Sequence, residues 1–184
     1  MQRQFLVLFL LLTAATQAQF GKNVEQHQFK INILGPGLEY EVGIGQNETL
    51  NFRAALQFVT DPNTKNDFEI DVVPALNGQY RYYHNLSKRF QNQKAAYGNA
   101  GNYIAASASY FIGDPLLENV SDNVDLLGFV GPVYGIQRTH SSGFTINIEV
   151  GGGYYFATSS GGFGPTFNLS VGWILGEKRW CVGK

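Results

Sequence analysis

The stretch FTINIEVGGGYYF, Phe144 to Phe156, decides the fold. Its even positions Phe144, Ile146, Ile148, Val150, Tyr154 and Phe156 are apolar, while Thr145, Asn147 and Glu149 between them are polar. Alternation with period two marks a β-strand with one apolar and one polar face, because successive side chains point to opposite sides. A strand needs about 9–11 residues to cross a bilayer at a tilt, and this one is long enough. Its partner follows at once in TFNLSVGWIL, Thr166 to Leu175, where Phe167, Leu169, Val171, Trp173 and Leu175 oppose Thr166, Asn168, Ser170 and Gly172. The glycines Gly151 to Gly153 beside Tyr154 and Tyr155 read as a bulge or as close strand packing, not as a phosphate loop.

Outward from this hairpin the same alternation recurs. Phe29, Ile31 and Ile33 oppose Gln28, Lys30 and Asn32 in a strand over His27 to Leu34, and Gly35-Pro36-Gly37 is a tight turn. Leu38 to Ile44 and Leu50 to Phe58 follow, then a long register from Phe68 to Tyr83, with a bulge or break expected at Pro74. Leu86 to Asn99 loses the pattern and gathers Lys88, Arg89 and Lys94, with room for a short helix. Strands over Asn102 to Ile112 and Gly128 to His140 flank an acidic loop, Gly113 to Asp125, and Ser141 to Gly143 turns into the opening stretch. Ala157 to Gly164 reads as a glycine- and serine-rich loop. The sum is about eight strands, an even number and the smallest usual for membrane barrels. The expected fold is therefore all-β, an up-and-down antiparallel transmembrane β-barrel.

Composition agrees. The 184 residues fit one domain, charged residues make up 15 % and aromatics 14 %, and 22 glycines suit a sheet rich in turns. The formal net charge of −1 leaves no basic footprint for nucleic acid. The lone Cys181 excludes an internal disulfide framework and a cysteine zinc site. Residues 1–18 read as a secretory signal, with Arg3, an apolar run from Phe5 to Leu12 and small residues near Ala18; residues 19–184 form the barrel domain. If the mature chain spans a membrane it does so as a closed barrel, which leaves no backbone polar group unpaired in lipid.

Bare alternation fits two barrels that are inside-out versions of each other: a soluble lipocalin-like barrel with an apolar ligand inside, and a membrane barrel with the apolar face in lipid. The polar face decides for the membrane, being built of Gly, Ala, Ser, Thr, Asn and a few charges that suit a narrow interior. The expected lipid-facing aromatics are Phe29, Tyr40, Phe58, Tyr80, Tyr82, Tyr134, Tyr154, Phe156 and Trp173. The interior then holds Lys30, Arg53 and Arg81 against Glu39, Glu41, Glu69, Asp71 and Glu149, which predicts an ion-pair network and no open pore. With both termini periplasmic, the Leu86 to Asn99 segment lies on the periplasmic side.

The run Pro74-Ala-Leu-Asn-Gly-Gln-Tyr-Arg-Tyr-Tyr-His-Asn-Leu-Ser-Lys-Arg89, followed by Gly101-Asn-Tyr-Ile-Ala-Ala-Ser-Ala-Ser-Tyr-Phe111, resembles small outer-membrane β-barrel proteins of Bacteroidota. The resemblance implies an outer-membrane location and lends little about activity. Gly172 and Leu175 are partly similar to a barrel-assembly signal, although the chain runs on to Lys184. The expected partners are outer-membrane lipid and the barrel-assembly machinery, and the expected state is a monomer.

The sequence carries no evident catalytic constellation. Some small outer-membrane barrels modify lipid A with a His, a Ser and an acid, and the candidates here are His140, Ser141 and Ser142 with Glu149. Neighbours in a strand point to opposite faces, so a polar hairpin turn is the better reading. Three scattered histidines offer no metal spacing, and no cofactor is implied. The expectation is a structural, adhesive or surface-interaction barrel, with a lipid A or phospholipid hydrolase as the alternative.

Overall fold

A computed structural model describes residues 23–60, 70–92, 97–112, 126–157 and 161–175. Eight antiparallel strands form one closed ring in chain order: β1 (His27–Leu34), β2 (Gly37–Gly43), β3 (Glu48–Thr60), β4 (Ile70–Tyr83), β5 (Asn102–Phe111), β6 (Leu126–Thr139), β7 (Phe144–Ala157) and β8 (Gly162–Leu175). The ring closes where β1 pairs with β8, Phe29 opposite Leu175 and Ile31 opposite Trp173, with one register shift between Asn32 and Leu34. A short helix α1 (Leu86–Gln91) and a 3-10 turn (Tyr97–Asn99) lie between β4 and β5. No helix among the described residues is long and apolar enough to cross a membrane, which says nothing of strands. The end where β1 begins and β8 ends is called the terminal end below.

Alternation in the sequence becomes alternation in burial: in β7, Thr145, Asn147 and Glu149 are buried and Ile146, Ile148 and Val150 are exposed. The apolar face therefore lies outside and the polar face inside. Phe29, Tyr80, Tyr82, Tyr134, Phe156 and Trp173 are exposed on the outer wall, and Tyr40 and Tyr154 are half-buried there. The side chains of Phe58 and Asp71, and all of Glu69, lie outside the described residues, as do the signal segment, the acidic loop and Cys181.

Of three local expectations, the first and last are corrected and the second is decided between its two readings. First, β8 begins at Gly162, so Gly162 to Gly164 are strand and not loop; Phe163 pairs with Tyr154, and Gly164 with Gly153. Second, no register shift occurs at Gly151 to Gly153. Close packing is the reason for glycine there: a Cβ on Gly153 would meet the Val130 carbonyl and lie 2.8 Å from the Phe129 ring. Third, the β3–β4 ladder runs unbroken through Pro74. The Pro74 carbonyl faces β5, where it accepts the Ile112 amide at 2.7 Å at the end of that ladder, so its missing N–H interrupts nothing.

The interior is not uniformly polar. On the side away from the terminal end, Val73, Ala75, Phe111, Phe129, Val133 and Tyr155 pack inward, the Phe129 and Tyr155 rings 4.9 Å apart. At the terminal end Val24, Leu86 and Ala100 are buried, and the chain from Tyr97 to Gly101 folds over the mouth. Gly98 and Asn99 both take positive φ there, 60° and 56°.

Candidate functional site

Between the two ends, inward side chains from every strand converge. Lys30 of β1 reaches Glu39 at 2.9 Å and Glu41 at 3.0 Å, both on β2. Arg81 of β4 reaches Glu39 at 3.2 Å, Glu41 at 3.5 Å and, through Nη2, Glu149 of β7 at 3.1 Å. Arg53 of β3 sits 3.2 Å from Glu149 and 3.5 Å from Glu39. Three cations face three carboxylates, so the charge of the cluster sums to zero. All six side chains are almost wholly excluded from solvent.

Neutral groups complete the shell. Tyr103 of β5 donates to Glu149 at 2.5 Å and Tyr83 to Glu41 at 2.8 Å, while Thr49 donates to Glu41 at 2.7 Å and Asn51 to Glu39 at 2.6 Å. Asn147 and Asn168 donate to Glu149 at 3.2 and 3.0 Å. Lys30 also donates to Gln137 of β6 at 2.9 Å. The Arg81 guanidinium lies 4.7 Å over the Tyr103 ring. That ring occupies the space in front of Gly135, its cross-strand partner, where a Cβ would collide with it.

Gln137 joins this network to the terminal mouth. Its amide nitrogen donates to the Gly98 carbonyl at 2.7 Å, and Thr139 donates to the same carbonyl at 3.2 Å. Asn99 accepts the Glu25 amide at 2.7 Å. The segment from Tyr97 to Gly101 thus covers the terminal end and is tied to Lys30 through one side chain.

Of the eight charged residues expected inside, the structure brings Lys30, Glu39, Glu41, Arg53, Arg81 and Glu149 together. Tyr83, Tyr103 and the Tyr97 to Gly101 cover were not singled out from the sequence. The parity of β4 and β5 carried the signal for the two tyrosines, since both fall on the inward set. The hydrolase candidates are not assembled: His140 pairs through Nδ1 with the Ser142 hydroxyl at 3.1 Å on an exposed hairpin. The described partners of Glu149 are Arg53, Arg81, Tyr103, Asn147 and Asn168. Chemically the cluster is a saturated ion-pair scaffold: each carboxylate already accepts from at least three donors.

Compared with known proteins, the chain matches no family model, no curated protein and no solved structure.

Proposed function

We propose that this chain is a small outer-membrane β-barrel, of the kind its central block resembles in Bacteroidota, with a structural, adhesive or surface-interaction role and no catalysis. The observation that carries the membrane reading is the distribution of charge. Among the strand residues whose side chains are described, the outer wall bears two charged groups, Glu48 and Arg138, both in the last rungs at the terminal end. The six others face inward. A water-exposed wall does not tolerate Phe29, Leu38, Ile104, Phe163 and Phe167 at half or more exposure without a partner surface.

Dimensions support the same reading. Strands β4, β6, β7 and β8 have 14 residues each. At ~3.3 Å per residue and a tilt of ~35–45°, such a strand rises roughly 33–38 Å, enough to cover a ~25 Å apolar band. An apolar groove of about 480 Å³ along the outer wall, lined by Phe29, Leu38, Tyr40, Phe52, Leu76 and Gly78, suits acyl chains. A lipocalin-like carrier needs an apolar cavity inside, whereas this interior is filled at mid-height by ion pairs.

The test is membrane fractionation followed by a detergent gel with and without boiling. A shift on boiling, confined to the outer-membrane fraction, is expected; a soluble band with no shift overturns the reading. For the absence of catalysis, His140→Ala with Ser141→Ala should leave the lipid A profile of the cells unchanged. A changed profile favours the hydrolase.

A further inference from the structure

The two charges on the outer wall differ in their partners. The Glu48 carboxylate accepts the Asn47 backbone amide at 3.0 Å within its own turn. Arg138 has no carboxylate partner among the described residues. Its Nη1 donates to the carbonyls of Gln137 at 2.7 Å and Gly101 at 3.2 Å, and its Nη2 donates to Asn102 Oδ1 at 2.7 Å. These three acceptors fix the guanidinium against the terminal rim, and none of them carries a negative charge. Its Nε and one Nη2 proton take no part in them.

The surroundings of Arg138 are those of a lipid–water boundary. Tyr134 lies on the same face of β6, its hydroxyl accepting from Asn102 Nδ2 at 2.9 Å and its ring 5.9 Å from that of His84. Exposed Ile104, Ile136 and Ile146 continue the apolar wall beside it. Beyond the rim, α1 carries Lys88 and Arg89 in its last turn. A guanidinium at the edge of an apolar wall, with donors left over from its protein contacts, pairs with phosphate through a two-pronged edge.

We propose that Arg138 binds the phosphate of a phospholipid headgroup in the leaflet at the terminal end, the acyl chains lying along Ile104, Ile136 and Ile146. The inference rests on the membrane reading above. Asn102 is the positioning residue, since it holds both Arg138 and Tyr134.

The full chain, folded in detergent, is the sample, and native mass spectrometry counts the molecules it retains. The probes are phosphatidylglycerol, diacylglycerol with the same acyl chains, and inorganic phosphate. Wild-type protein should retain phosphatidylglycerol in preference to diacylglycerol. Arg138→Gln should weaken that retention about fivefold, the effect of ~1 kcal/mol for one basic side chain at an anionic lipid surface. Arg138→Lys should keep part of it. The shift on boiling shows that each variant is folded, and the comparison of two lipids on wild-type protein stands even if a variant is not. Equal retention of the two lipids, or an Arg138→Gln protein that binds as wild type does, overturns the proposal. Inorganic phosphate displacing the lipid at equal molar concentration overturns the lipid as the source of the phosphate. Failure of wild-type protein to insert into phosphatidylcholine vesicles overturns the membrane reading itself, whereas insertion without a phospholipid preference removes this inference alone.

Discussion

Replacing Glu149 by Gln tests the interior network at its most connected point. The change keeps the shape and one carbonyl acceptor and removes a single charge. Lys30, Arg53 and Arg81 would then face only Glu39 and Glu41, leaving one buried positive charge in excess. The excess falls on Arg53. Arg81 keeps Glu39 at 3.2 Å and Glu41 at 3.5 Å, whereas Arg53 keeps only Glu39 at 3.5 Å and its Nη1 has no hydrogen-bond partner among the described residues. Breaking a buried pair by removing one partner costs about 3–5 kcal/mol, because the other charge stays desolvated. The loss is read from guanidinium chloride unfolding of the purified barrel in detergent, followed by tryptophan fluorescence. Adding Arg53→Met removes the stranded charge, so the double variant should be more stable than the sum of the single losses by roughly 1–3 kcal/mol. An E149Q protein within ~0.5 kcal/mol of wild type, the usual range for surface changes, refutes the reasoning. Strict additivity of the two changes refutes the assignment of the excess to Arg53.

Three further outcomes follow from local geometry. Gly153→Val drives a side chain against the Val130 carbonyl and the Phe129 ring, and should lower the unfolding free energy by about 1–3 kcal/mol in the same assay. Gly78→Ala meets nothing within 4 Å and should leave stability unchanged or raise it by up to ~1 kcal/mol. Gln137→Leu removes the bonds to Lys30 and to the Gly98 carbonyl at 2.9 and 2.7 Å. Hydrogen exchange at the Ala100 amide should then accelerate roughly tenfold, equivalent to ~1.4 kcal/mol, with amides in the middle of β7 unchanged.

The strands were legible because period-two alternation needs only side chains of contrasting polarity, and Phe144 to Val150 supplies them without interruption. Where glycine or proline removes the contrast, the pattern falls silent although the backbone goes on pairing. Gly162 to Gly164 therefore read as loop, and Pro74 read as a break. Parity also placed Lys30, Glu39, Glu41, Arg53, Arg81 and Glu149 on one face, but parity alone does not say who meets whom. Arg53 and Glu149 are 96 positions apart and meet only after the ring has closed. The cover from Tyr97 to Gly101 was illegible for a different reason. It is held by backbone carbonyls and by Gln137 and Thr139 from a distant strand, and such bonds leave no periodic trace.

Those cross-ring bonds explain why a barrel without a continuous apolar core can specify one closure. Ladder hydrogen bonds between neighbours are indifferent to a slip, but a slip by one residue turns every side chain of that strand to the other face. Here such a slip would carry Lys30, Arg81 or Glu149 to the apolar wall and leave its partners buried without a counter-charge, a penalty of several kcal/mol per ion. The network draws on all eight strands, from Lys30 on β1 through Tyr103 on β5 and Gln137 on β6 to Asn168 on β8. Each strand's register is therefore checked against strands it does not touch along its edges. The net charge of zero follows from the same logic. An unequal count of cations and carboxylates would leave one group uncompensated in every register, and the network could no longer discriminate the right one from its neighbours.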